Sequence, residues 1–175
     1  MSLDKITQQL AEQSTTKYPP VHLWDPPYCG EIDIEIKSDG TWFYNGGEIK
    51  RLPLVKLFAS VLKREQHDYF LVTPVEKVKI KVVEKPYVIT QWEMINGVMQ
   101  LTTQLGDVCW LEDAEQLEIS EQGHIYITVR NNLQGLVHRN VYYQWIEMAE
   151  QKEVAGKTHL GFYSNQVFFD LGAID

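Results

Sequence analysis

One pattern occurs twice in this chain and limits what it can fold into. Asp33 to Tyr44 reads as strand, tight turn and strand, with Ser38-Asp39-Gly40 at the turn. Gln116 to Ile127 reads the same way, and Glu35, Ile36 and Gly40 of the first segment fall on Glu118, Ile119 and Gly123 of the second. An arginine follows each hairpin (Arg51, Arg139), then one amphipathic helix, then two more strand-like runs. The expected fold is therefore α+β: two packed small domains, residues 1–84 and 85–175, sharing a repeated ββ-α-ββ motif. A seam between two such halves is a usual place for a ligand site.

The local signals support these elements. Leu3, Ile6 and Leu10 have helical spacing, with Ser2 as N-cap. Pro19-Pro20 and Pro26-Pro27 stiffen the stretch that follows. Ile32, Ile34 and Ile36 alternate with Glu31, Asp33, Glu35 and Lys37, the mark of a half-buried strand. Pro53 opens an apolar stripe through Leu54, Val55, Leu57, Phe58, Val61 and Leu62, so a helix is predicted over 53–64. Val78, Ile80 and Val82 alternate with Lys77, Lys79 and Lys81. Lys85-Pro86 marks the division between halves. Asn96-Gly97 joins two strand-like runs, and residues 85–112 have no counterpart in the first half, so they read as strands added to the second. The second helix is predicted from Asn140 to about Lys152. Runs at 160–163 and 167–171 close the chain.

Composition narrows the function. Net charge is −8, with 16 basic and 24 acidic side chains. Sequence-independent nucleic-acid binding relies on basic surface, so nucleic acid is not an expected partner. The two cysteines, Cys29 and Cys109, belong to no C-x-x-C, which argues against a disulfide framework or a structural zinc site. No secretory leader and no apolar run of bilayer length is read, so membrane insertion is not expected and a cytoplasmic location is. Phosphate-loop, dinucleotide and nucleophile-elbow signatures are absent, and no cofactor is expected.

Few residues carry chemistry. Cys29 follows Pro26-Pro27-Tyr28 and precedes Gly30. A reactive thiol needs solvent access and a lowered pKa, usually with a base beside it. A free cysteine is more often a small core residue, and Cys109, between Val108 and Trp110, reads that way. His22, His67, His124, His138 and His159 show no metal-ligand spacing. Glu31, Asp33 and Glu35 can act as paired acids, although such a row is more often a solvated face. Arg51 or Lys77 can hold a phosphate or carboxylate. Lys79 and Lys81 read more simply as protection for a sheet edge.

Several strings together resemble one known family: Trp24-Asp25-Pro26 with Cys29-Gly30, Asp39 to Tyr44, Gly47 to Arg51, Leu54 to Phe58, Tyr69 to Val78, Arg139 to Tyr143 and Phe168 to Gly172. Over nearly the whole chain from Pro20 onward they are similar to the bacterial domain of unknown function 1285. The resemblance implies a two-domain α+β protein with internal duplication and a second domain superficially like pleckstrin-homology folds. It also implies a ligand site at the seam, with Cys29 as nucleophile, and a signalling role. The function expected is thus a ligand-binding or signalling module for a small anionic or polar molecule. Trp24, Asp33, Trp42, Arg51, Thr73 and Lys77 are the candidate binding residues. The alternatives are an enzyme or redox-responsive protein acting through Cys29, and a protein–protein adaptor that adds a strand to an edge at 77–83.

Overall fold

A computed structural model describes residues 3–13 and 18–174. These fall into two units, Met1–Pro86 and Tyr87–Asp175. Both are built from sheet and helix, so the fold is α+β. The first helix, α1 (Leu3–Gln13), buries Ile6 and Leu10, two of the three positions that gave it helical spacing. Ser2, read as its N-cap, lies outside the described residues.

The rest of the N-terminal unit is one six-stranded sheet with a helix. Its strands are β1 (Tyr28–Ile36), β2 (Trp42–Tyr44), β3 (Gly47–Glu48), β4 (Leu62–Glu65), β5 (Asp68–Val72) and β6 (Lys77–Val82), and α2 (Leu52–Ser60) follows β3. The order across the sheet is β3-β2-β1-β6-β5-β4. Successive strands pair antiparallel within β1–β3 and within β4–β6, whereas β1 and β6 run parallel. Strands so joined need a crossover connection, and α2 lies in it. Ile32, Ile34 and Ile36 of β1 are buried with Val55, Phe58 and Ala59 of α2.

The C-terminal unit has nine strands and α3 (Arg139–Met148). Strands β7 (Tyr87–Ile95), β8 (Val98–Thr103), β9 (Val108–Leu111), β10 (Leu117–Ile119), β11 (Ile125–Arg130) and β12 (Leu133–Val137) form a sheet ordered β10-β11-β12-β7-β8-β9. After α3, β13 (Glu150–Val154), β14 (Lys157–Ser164) and β15 (Val167–Ala173) form a separate antiparallel sheet. One core joins all three parts. Trp145 of α3 lies 4.9 Å from the Phe162 ring, which stacks on Phe169 at 5.6 Å, among Ile89, Met99 and Leu111.

Two corrections to the predicted elements follow. Both helices are shorter than their apolar patterns indicated. In α2, the Ser60 hydroxyl donates to the Leu57 carbonyl at 2.6 Å, which competes with the backbone ladder. Leu62 then pairs with Leu71 as part of β4. In α3, Ala149 turns to extended backbone and residues from Glu150 onward become β13. Each helix is thus followed by three strands, not two. The three strands after α2 join the sheet of β1–β3, whereas the three after α3 form a sheet of their own.

The six-stranded sheets of the two units share one connectivity. The last strand of the N-terminal sheet returns parallel beside its first, β6 on β1, and in the C-terminal sheet β12 likewise returns beside β7, so both sheets have the same strand order. The units are similarly built, and residues 85–112, expected to have no counterpart in the first half, supply the first three strands of the second sheet, whereas α3 and β13–β15 are the part that the N-terminal unit lacks.

The matched glycines of the two hairpins have a purely local cause. Lys37 N–H donates to Thr41 O at 2.8 Å and Gly40 N–H to Lys37 O at 3.0 Å. Ser120, Gly123 and His124 repeat this, and so do Thr103, Gly106 and Asp107 at the β8–β9 hairpin. Gly40, Gly123 and Gly106 have φ of 86°, 85° and 84°. Such a three-residue hairpin loop places its final residue in the left-handed region, where glycine is unstrained.

Candidate functional site

The open sheet face of the N-terminal unit carries its most concentrated charge. Alternation along β1 buries the isoleucines and turns Glu31, Asp33 and Glu35 to the other face. Alternation along β6 buries Val78 and Ile80 and turns Lys77, Lys79 and Lys81 to that same face. Parallel pairing sets the two rows side by side: Glu31 opposite Lys79, and Glu35 opposite Lys81. The β1 ladder is bulged between Tyr28 and Glu31 and again between Glu31 and Glu35, which adds local twist.

A groove of about 680 Å³ lies against these strands, lined by residues 31–34, 67–69 and 79–82. Its volume falls within the range of small-molecule sites, but its charged lining suits a polar occupant better than an apolar one. Lys79 Nζ lies 3.3 Å from Asp68 Oδ1. Lys81 Nζ reaches Glu35 Oε2 only at 3.9 Å, and Glu35 already accepts from Lys37 Nζ at 2.6 Å. That hydrogen bond from Lys37 holds the Glu35 carboxyl below its ordinary pKa.

The other end of the same strands is aromatic. Tyr28 pairs with Lys77 in the β1–β6 ladder and meets the Phe70 ring edge-on at 6.2 Å. Lys77 Nζ sits 4.9 Å from the centre of the Phe70 ring and 2.7 Å from Glu65 Oε1. Cys29, next to Tyr28, is exposed, and its thiol donates to the Pro27 carbonyl at 3.2 Å. Lys5 of α1 is within electrostatic range of that thiol and pairs with Glu76 at 2.7 Å. The hydrogen bond to Glu76 raises the Lys5 pKa.

The other nominated residues have structural places. Trp42 is 2% exposed in the core, opposite Ile36. Thr73 is buried, and its hydroxyl accepts from the N–H groups of Val75 and Glu76, shaping the β5–β6 turn. Arg51 precedes α2 as N-cap and accepts the Leu54 and Val55 N–H groups at its carbonyl. The Trp24 carbonyl accepts from Lys63 Nζ at 2.8 Å. Of the nominated residues, Asp33 alone lines the groove; Cys29 and Lys77 sit at the aromatic end of the same strands.

His67, Asp68, Lys79 and Lys81 were not selected from the sequence as binding residues. Lys79 and Lys81 were read as guarding a sheet edge, and 77–83 as an edge open to strand addition. The structure overturns this, because β6 lies between β1 and β5 and its backbone is paired on both sides. The available signal was complementarity: a strand of alternating acids and a strand of alternating lysines carry opposite charge that suits them as neighbours. Among the described residues, no cluster of His, Cys, Asp and Glu has the geometry to hold a metal. No helix among them is long and apolar enough to cross a membrane.

Comparison with known proteins agrees along the length of the chain. Residues 19–85 match the family model described as domain of unknown function (DUF1285), N-terminal domain. Residues 86–171 match the model described as protein of unknown function (DUF1285), C-terminal domain. A crystal structure of a DUF1285 family protein from Silicibacter pomeroyi DSS-3 is 35% identical, with a TM-score of 0.80 and 95% of each chain covered. Another, from Shewanella baltica OS155, is 29% identical with a TM-score of 0.58, covering 65% of this chain and 90% of that one. No curated protein matches.

Proposed function

Since this chain belongs to the DUF1285 family of bacterial proteins, we propose that it is a binding module for a small polar molecule, held in the groove on the sheet of its N-terminal unit. The observation that carries this reading is the groove itself: about 680 Å³, walled by a carboxylate strand and an ammonium strand. Exposed ion pairs contribute little to stability, so folding gives a weak reason for this concentration of charge. Recognition of a polar molecule gives a better one, through charge-assisted hydrogen bonds. In this reading the C-terminal unit, two sheets and one helix around a common core, is a pleckstrin-homology-like signalling module.

The test is native mass spectrometry of the full chain purified under gentle conditions, beside an Asp33→Lys variant. The reading expects a small polar molecule bound to the wild-type protein and lost from the variant. Identical spectra for both proteins, with or without adducts, overturn it.

A second reading has one observation in its favour. Cys29 is exposed, with Lys5 near enough to interact with a thiolate. Nothing among the described residues hydrogen-bonds the thiol as a base would; its partner is the Pro27 carbonyl. The binding reading is therefore preferred.

A further inference from the structure

We propose that the occupant of the groove is zwitterionic, carrying one amino cation and one carboxylate as a free α-amino acid does; this rests on the binding reading above. The argument is the order of charge across the strands. The β1 side of the groove is anionic through Glu31 and Asp33, and the β6 side is cationic through Lys79 and Lys81. Adjacent strands stand about 4.8 Å apart, so the groove presents two ribbons of opposite sign at molecular spacing. A dipolar molecule lying across the strands meets an opposite charge at each end.

The pairing already made inside the groove sharpens this. Lys79 is engaged by Asp68 at 3.3 Å, which neutralises one charge of each sign. Among the described residues, the carboxylates of Glu31 and Asp33 make no ion pair or side-chain hydrogen bond. Lys81 is 73% exposed at its side chain and holds Glu35 only at the 3.9 Å limit. Available charge is therefore acid on one strand and an ammonium on the next. A dianion would set one of its ends against Glu31 or Asp33. A dication would set one of its ends against Lys81. Of these doubly charged ligands, the zwitterion alone meets an opposite charge at both walls.

The experiment is ligand-observed NMR on the full chain with three probes: an equimolar mixture of L-amino acids with uncharged side chains, putrescine, and succinate. Asp33→Asn and Lys81→Gln variants are run in parallel, with melting curves to establish that they fold. The expected result is binding from the amino-acid mixture, weakened about tenfold by each variant, with putrescine and succinate at least about tenfold weaker than the mixture. Putrescine or succinate binding as tightly as the mixture overturns the zwitterion while leaving the groove as the binding place. Silence from all three probes also overturns it, and native mass spectrometry then decides whether the groove reading survives. Amino-acid binding that neither variant weakens removes the groove from both proposals.

Discussion

Glu31 stands directly opposite Lys79 in the parallel ladder that joins the first and last strands of the N-terminal sheet. The two residues are 48 positions apart in sequence. Their contact exists because α2 carries the chain over and brings β6 back beside β1. The same return places Glu35 beside Lys81 and sets up the charge pattern of the groove. It also turns a supposed sheet edge into a central strand.

Ser164 is the first test of how the C-terminal unit is joined. Its buried hydroxyl donates to the Leu111 carbonyl and accepts the Met99 N–H at 2.8 Å, linking the small sheet to the large one. Ser164→Ala leaves both backbone groups unpaired. A loss of about 2–4 kcal/mol is expected in urea unfolding. A change below about 0.5 kcal/mol would mean that water replaces the hydroxyl.

Gly161 is a second. A Cβ there would collide with the Phe169 carbonyl oxygen and with the Phe168 ring, which lies over the glycine. Gly161→Ala is expected to cost about 2 kcal/mol or more, through strain that packed neighbours cannot relieve. Full retention of the melting temperature would show that the Phe168 ring moves aside freely.

Much of this architecture was legible in the sequence. The β1 and β6 alternations, the presence of strands within 85–112, the Asn96-Gly97 turn and the position of α1 follow from periodicity and turn chemistry. Helix ends were not, because Leu62 and its neighbours satisfy a helical stripe and a strand core equally well. Ser60 and the pairing of β4 with β5 decide between them. The glycine match at 40 and 123 aligns the duplicated parts wrongly: Gly106 has the same turn, and the two sheets correspond through β1–β6 and β7–β12. The groove was not legible because no local pattern reports which distant strand becomes a neighbour. Asp33 was nominated without the lysines that line the groove with it, and Trp42 was nominated as a binding residue although it fills the core.

The two thiols should differ sharply. Cys29 is exposed, whereas Cys109 is buried and its thiol is pushed up to about 11, first by burial and then by the Asp107 charge. Iodoacetamide at neutral pH should label one site in the native chain. Cys29→Ser should abolish labelling until the protein is unfolded. Prompt labelling of Cys109 in the folded state would contradict its placement in the core.

Cys109 also predicts an alkaline dependence. Its folded pKa lies above the ordinary thiol value of 9.0, so the neutral thiol is favoured by the fold. Its contribution is fully present below about pH 9 and is lost as pH rises towards 11, by about 2–3 kcal/mol at most. Cys109→Ala should flatten the fall in stability over that window relative to wild type. Parallel curves for the two proteins would rule the effect out.

Ala155 offers a stabilising change. It holds φ of 50° in the β13–β14 turn, beside Gly156 at 80°. A left-handed alanine is strained, and Ala155→Gly should gain about 0.5–1 kcal/mol in thermal unfolding. A loss of stability would mean that the extra freedom of glycine in the unfolded chain outweighs the relieved strain.

The central claim is that the charged groove of the N-terminal sheet is where this protein binds a small polar molecule. Amide chemical-shift mapping tests it most directly, with the isotope-labelled full chain titrated by the small-molecule fraction of a bacterial extract. The account predicts shifts concentrated at residues 31–34, 67–69 and 79–82 and abolished by Asp33→Lys. Saturable shifts centred on any other surface, or none in those three segments, would contradict it.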